Sequence, residues 1–404
     1  MAGTWAAMLA PFNVRAMPNG LRGFSAICEL LARAGLTHSR PAFGIDRVEV
    51  RGREVAVREQ VVDATPFASL LHFKKDTTVE QPRVLLVAPL SGHFATLLRN
   101  TVTTMLPEHD VYVTDWHNAR DVKLSHGRFG LDDCIDHVIR FLEAMGSDNH
   151  VVAVCQPCVP VLAAAAIMAQ GESPARPRSV TLMAGPIDAR INPTKVNELA
   201  NSHPIDWFER NLTTKVPLRY AGAGRRVYPG FMQLAAFVAM NSERHVEAHL
   251  DLFSHLTTGE RDKAEAVKNF YDEYFAVLDL TAEFYLETVE TVFQKHSMAR
   301  GKLMWRGNCV EPRAIRHGRL LTVEGEKDDI CGIGQTSAAL DLCDGLEEHS
   351  KRRYVQAGAG HYGVFSGKRW QNEIYPVVRD VIHDRGARTT WFPFSFKKIA
   401  GMRG

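Results

Sequence analysis

Along the chain, short runs of consecutive apolar residues alternate with stretches whose apolar positions recur every three or four residues. Val84-Leu-Leu-Val-Ala, Val111-Tyr-Val-Thr, Val151-Val-Ala-Val and Ser179-Val-Thr-Leu-Met belong to the first kind and predict short buried strands. Ala95 to Leu106 and Asp132 to Met145 belong to the second, with Ile135, Val138, Ile139 and Leu142 on one helical face. Strands alternating with helices predict an α/β protein with a mostly parallel, doubly wound sheet. Ahead of them, Asp46 to Lys74 alternates in Val48-Glu-Val, Val55-Ala-Val and Leu70-Leu-His-Phe, broken at Arg51-Gly-Arg, which predicts antiparallel strands at one sheet edge. Phe24, Ile27, Leu30, Leu31 and Ala34 predict a helix ending near Gly35.

After Pro186 the pattern changes. Residues from about 190 to 312 carry long helical stretches, notably Ala264 to Lys295, and no convincing strand. The sheet resumes with Leu320-Leu-Thr-Val-Glu-Gly and Arg353-Tyr-Val-Gln-Ala-Gly. The expected organisation is an N-terminal helical extension (1–42), a first core part (43–189), an inserted helical cap (190–312), a second core part (313–385) and a basic tail (386–404). An insertion between a central and a late strand would sit over the carboxyl ends of the strands.

Composition narrows the class. With 45% hydrophobic and 23% charged residues the chain is ordinary for a globular protein, and a net charge of +2 offers nothing for nucleic acid. Seven cysteines are an odd number without a dense framework, which favours reduced thiols in the cytoplasm. The apolar run before Phe12 lacks a basic start, and no run is long enough to span a membrane. A homo-oligomer is compatible with the sequence. Neither His/Cys metal spacing nor a glycine-rich phosphate cradle is present, so no cofactor is expected.

The chemistry concentrates where Val151-Val-Ala-Val meets Cys155-Gln-Pro-Cys158. The strand must turn sharply at Cys155, because Val161 to Ala169 reads as an alanine-rich helix with Pro160 in its first turn. A nucleophile on a strand-to-helix turn is the elbow of α/β-hydrolases, although Pro157 stands where a small residue is usual. Two other readings fit the same stretch: a buried packing cysteine, or a C-x-x-C redox pair at a helix start.

The later strands decide among them. Asp328 follows one strand in Glu324-Gly-Glu-Lys-Asp-Asp-Ile, and His361 follows the next in Gly358-Ala-Gly-His-Tyr-Gly. Nucleophile, acid and histidine in that order, each after a strand, is the hydrolase sequence. Cys155 would be the nucleophile, His361 the base and Asp328 the residue holding the imidazole, with Asp329 its rival. The oxyanion hole would combine the Gln156 backbone N–H with one from Pro89-Leu-Ser-Gly-His, Ser91 ahead of Leu90; His93 reads as structural. In the cap, Tyr228-Pro-Gly-Phe231-Met232 is the expected substrate channel, an exposed bend holding aromatics outward.

At these residues the chain resembles the intracellular polyhydroxybutyrate (PHB) depolymerases, α/β-hydrolases with a cysteine nucleophile. The resemblance spans about residues 40 to 380. It is carried by Val87-Ala-Pro-Leu-Ser-Gly-His, Tyr112-Val-Thr-Asp-Trp, Val154-Cys-Gln-Pro, Gly185-Pro-Ile-Asp-Ala-Arg, Gly222-Ala-Gly-Arg-Arg-Val-Tyr-Pro-Gly-Phe, Thr322-Val-Glu-Gly-Glu-Lys-Asp-Asp-Ile and Gly360-His-Tyr-Gly-Val-Phe-Ser-Gly. It implies a Cys155–His361–Asp328 triad, hydrolysis of the cell's storage polyester and contact with the granule surface. The departure is Cys158, where the family pattern has a small hydroxyl residue. Alternatives are a polyhydroxyalkanoate synthase, whose Gly-x-Cys-x-Gly elbow disagrees with Ala153 and Pro157, and a catalytically silent granule-coat protein.

Overall fold

The computed structural model describes residues 37–384 apart from Asn241. The helix expected before Gly35 and the basic tail lie outside the described residues. The core is a nine-stranded sheet of β1 (Arg47–Val50), β2 (Arg53–Ala64), β3 (Ala68–Lys75), β4 (Arg83–Val87), β5 (Asp110–Trp116), β6 (Asn149–Val154), β7 (Ser179–Met183), β8 (Arg319–Gly325) and β9 (Lys351–Gln356), ordered β1-β2-β3-β5-β4-β6-β7-β8-β9. β1 to β3 run antiparallel, β3 pairs antiparallel with β5, and the strands from β5 to β9 are mutually parallel. This order, with its antiparallel edge and parallel centre, is the α/β-hydrolase fold.

The central strands are apolar because both their faces are covered: β6 and β7 are buried at every position. Each fully buried Val or Leu contributes about 1.5–3 kcal/mol. Between the strands run α1 (Arg99–Met105), α2 (Leu131–Met145) and α3 (Cys158–Gln170). α2 buries Cys134, Ile135, Val138, Phe141 and Leu142 along one face, whereas α3 is buried nearly all round and packs against α2.

From β4 the chain steps to β5 on one side, while β6 pairs on β4's other side. The carboxyl ends of β4 and β6 therefore flank the crevice where open α/β sheets place their ligands. The loop 89–93 and the turn at Cys155 both open there.

The segment between β7 and β8 contains α4 (Lys195–Asn201), α5 (Ile205–Leu212), α6 (Gly230–Met240), α7 (Ser242–Thr258), α8 (Arg261–Tyr274) and α9 (Ala282–Thr288). Two expectations need correction. The segment has strands after all: Thr214–Lys215, Arg226–Tyr228 and Leu280–Thr281 form a small antiparallel sheet, and Met304–Trp305 pairs with Asn308–Cys309. The helical stretch 264–295 is also broken. After α8 the chain runs extended, with Ala276, Val277 and Leu278 fully buried, until Thr281 caps α9 by accepting the Phe284 N–H. Tertiary pairing overrides the helical pattern: Leu278 N–H donates to the Gly92 carbonyl at 2.9 Å, and Val277 bridges His93.

These contacts tie the segment between β7 and β8 to the core. Asp279 receives the Gly230 N–H on its carboxylate at 2.9 Å and donates its own N–H to Asn118. Gly230 has no room for a side chain, since a Cβ there would run into the Leu278 carbonyl. The buried Arg225 guanidinium caps the carbonyls of Val122, Lys123 and Gly127, which accounts for part of the glycine- and arginine-rich run at 222–226.

Candidate active site

The turn after β6 forces a conformation that most side chains avoid. Cys155 has φ +66°, the left-handed region, which costs a non-glycine residue about 1–3 kcal/mol. The turn is held by the Cys155 N–H on the Met183 carbonyl at 2.8 Å and the Cys158 N–H on the Cys155 carbonyl at 3.1 Å. Gly185 leaves the space, for a Cβ there would collide with the Cys158 side chain and stand 2.6 Å from the Cys155 carbonyl. Pro157 fits because its φ of −62° and ψ of −9° are already helical. Cys155 is thus pushed out, half-buried, at the N-terminal end of α3.

Asp328 lies in the loop after β8. One Asp328 oxygen accepts the N–H groups of Ile330 and Cys331 at 2.9 and 2.8 Å, and the other stands 2.8 Å from His361 Nδ1. Asp329 is exposed and makes no such contact with His361. Behind this loop the buried Glu324 carboxylate accepts the N–H groups of Gly334, Thr336 and Ser337 and pairs with Arg353, fixing the chain beyond the acid.

His361 begins a short helical turn after β9 and is buried. Burial opposes its positive charge, but the Asp328 carboxylate and Cys155 on its two sides outweigh burial and hold it well above the ordinary imidazole value. Asp328 is the hydrogen-bond partner of His361 Nδ1, and Cys155 lies close enough to favour the charged ring. Cys155, His361 and Asp328 are therefore gathered from the ends of three strands. Such a chain can pass a proton from sulfur to imidazole while the carboxylate steadies the ring.

The other expected residues are spread unevenly. Leu90 N–H points at the Gln156 side-chain Oε1 at 3.4 Å, and Ser91 is half-buried in the same loop. His93 is buried against Tyr274 with ring centroids 5.2 Å apart, and burial pushes its pKa down to about 4. Tyr228 does not face outward: it is only 6% exposed and stacks on Tyr285 at 3.9 Å, because its residue lies in a strand rather than a bend. Phe231, at the start of α6, is 47% exposed, and Met232 is half-buried.

Sequence reasoning missed Tyr362, although it follows His361 directly. Burial, then Tyr274 and Cys155, push its hydroxyl well above the ordinary tyrosine value, so it stands neutral beside the site. Its ring packs against Phe270 and Tyr274 of α8 at 5.9 and 6.0 Å, closing cap onto core. A large cavity of about 1550 Å³ lies at the other end of the sheet, among Lys75, Arg83, His150 and Arg319, and includes none of these residues. Among the described residues no group of His, Cys, Asp or Glu is gathered to hold a metal ion, and no helix is long and apolar enough to cross a membrane.

Residues 184–386 match the family model described as PHB de-polymerase C-terminus. No curated protein matches the chain. Among solved structures, an epoxide hydrolase from Bacillus megaterium is 12% identical, with 83% of this chain and 99% of that one aligned at a TM-score of 0.42. A thermophilic esterase from Thermogutta terrifontis is 14% identical, over 83% and 98% at 0.41. A thioesterase domain from the curacin biosynthetic pathway is 11% identical, over 81% and 99% at 0.42. The family model covers half of the chain, the segment between β7 and β8 and the loops of Asp328 and His361 included, and the chain belongs to the PHB depolymerase family as an ester hydrolase of α/β-hydrolase fold.

Proposed function

We propose that the protein hydrolyses poly(3-hydroxybutyrate) through an acyl-cysteine intermediate. The observation supporting this most is the connected set Cys155–His361–Asp328 at a strained turn, in a chain of this family. His361 takes the Cys155 thiol proton, and the thiolate attacks an ester carbonyl. The oxyanion so formed is met by the Gln156 backbone N–H and that of Ser91, the Leu90 N–H being directed at the Gln156 side chain. Collapse expels the hydroxyl end of the neighbouring unit, which receives the proton from His361. Water, deprotonated by His361, then attacks the thioester, and cysteine leaves as thiolate to regain the proton.

Asp328 holds the tautomer throughout, with its second oxygen occupied by two backbone N–H groups. The segment 190–312 acts as the cap, and Phe231 and Met232 line the approach of a mobile polymer strand. The working place is the surface of cytoplasmic storage granules, and the substrate is amorphous rather than crystalline polymer. Incubation of the purified protein with amorphous polymer, with and without coenzyme A, tests the reading. Release of 3-hydroxybutyrate and its oligomers without coenzyme A supports hydrolysis; release only as a coenzyme A ester would replace water by a thiol acceptor.

A further inference from the structure

Two side-chain amides reach the loop 89–93, one from the core and one from the cap. From the core, Gln156 accepts the Leu90 N–H on Oε1 at 3.4 Å. That contact fixes which way the carboxamide faces and leaves its Nε2 buried with no partner among the described residues. From the cap, Gln233 of α6 lies across Gly92: a Cβ built on Gly92 would stand 3.1 Å from Gln233 Oε1 and 3.2 Å from its Cδ. Gln233 Oε1 is buried too, and it likewise has no partner among the described residues. One donor and one acceptor are thus left unpaired beside the loop that faces Cys155. Other buried amides, those of Asn118, Asn149 and Asn197, also have an unpaired atom; what sets these two apart is that both reach the loop facing Cys155, where a ligand can pair them.

The ligand group that accepts one hydrogen bond and donates another is a hydroxyl. Taken with the polyester hydrolysis proposed above, on which this step rests, one hydroxyl qualifies. It lies two carbons from the attacked carbonyl when the acyl group is the last unit at the hydroxyl end of the chain. An internal unit carries an ester oxygen there, which can accept from Gln156 but has no proton for Gln233. A plain fatty acyl chain offers neither.

We propose that Gln156 Nε2 and Gln233 Oε1 bind the free 3-hydroxyl of the terminal unit, so that the enzyme removes hydroxyacyl units from the hydroxyl end. The test compares the linear trimer of 3-hydroxybutyrate with its analogue in which the terminal hydroxyl is replaced by hydrogen. The wild type cleaves the end unit of the hydroxylated trimer with kcat/KM at least about tenfold higher, as expected where a site pairs a substrate hydroxyl. Gln233→Leu brings the ratio close to one, and an unchanged circular-dichroism spectrum and melting temperature report that the variant folds. Gln233→Glu retains an acceptor and keeps the preference. Equal rates for the two trimers in the wild type, or a preference that survives in Gln233→Leu, would overturn the assignment and leave polyester hydrolysis standing. Cleavage of p-nitrophenyl butyrate with neither trimer nor amorphous polymer attacked would overturn both.

Discussion

The Cys158 N–H donates to the Cys155 carbonyl at 3.1 Å, yet the two side chains part. Cys155 meets His361, whereas the Cys158 sulfur is fully buried 3.6 Å from the carbonyls of Ala153 and Met183. Burial pushes the Cys158 thiol well above its ordinary value, so it is a packing residue with little thiolate. Cys158→Ala is expected to keep most activity and to lose about 1–2 kcal/mol of stability from the small cavity. Mild oxidation followed by dithiothreitol should recover wild type and variant to the same extent. Faster irreversible loss in the variant would instead mean that the two thiols pair.

Replacing Cys155 or His361 by Ala should lower ester hydrolysis by several orders of magnitude, because members of such a set act as a unit. Asp328→Asn should be nearly as severe, since the amide favours the wrong imidazole tautomer. Asp329→Asn, on an exposed residue beyond the contact, should leave turnover within about twofold. Steady-state kinetics on a soluble short ester separates these cases.

The charge on His361 carries a pH signature. Its folded pKa is raised, so its contribution to stability is fully present below the unfolded value of 6.5 and is lost as pH rises through the raised value. Asp328→Asn removes the carboxylate that raises His361 most, so the ring titrates lower than in the wild type and its contribution is lost at a lower pH. Urea unfolding of both proteins between pH 5 and 9, roughly the range in which histidines titrate, reads the difference. Parallel pH profiles would show that Asp328 does not govern the ring.

Phe231 is the exposed aromatic at the start of α6, on the cap. Phe231→Ala should weaken granule binding and polymer turnover several-fold while a short soluble ester is hydrolysed as before. Equal loss on both substrates would place Phe231 in the fold rather than in the polymer path.

The parallel strands and the elbow are legible in the sequence because both depend on local pattern. Apolar runs can be buried on two faces only in a covered sheet, and a strand can enter α3 after Val154 only through a sharp turn at Cys155. Asp328 was legible from chain order, and its two N–H donors arise from the turn that Asp328 itself starts. What escaped depends on distant partners. The chain at 275–281 has a helical apolar pattern, but pairing with Tyr228 and Gly92 pulls it extended. Tyr228 follows a glycine-rich run and reads as exposed, while Tyr285, more than fifty residues away, buries its ring. Tyr362 stands in the run of His361 but nothing in that run announces its packing on Phe270 and Tyr274, and Gln233 carries no motif and reaches Gly92 only through the fold.

The most direct test of the account is to quench a steady-state incubation of the wild-type protein and amorphous poly(3-hydroxybutyrate) with acid and map the peptides by mass spectrometry. The account predicts a thioester-linked hydroxybutyryl adduct on Cys155, absent in Cys155→Ala, whose release of soluble products is also abolished. Sustained product release by Cys155→Ala, or an adduct on another residue, would contradict it.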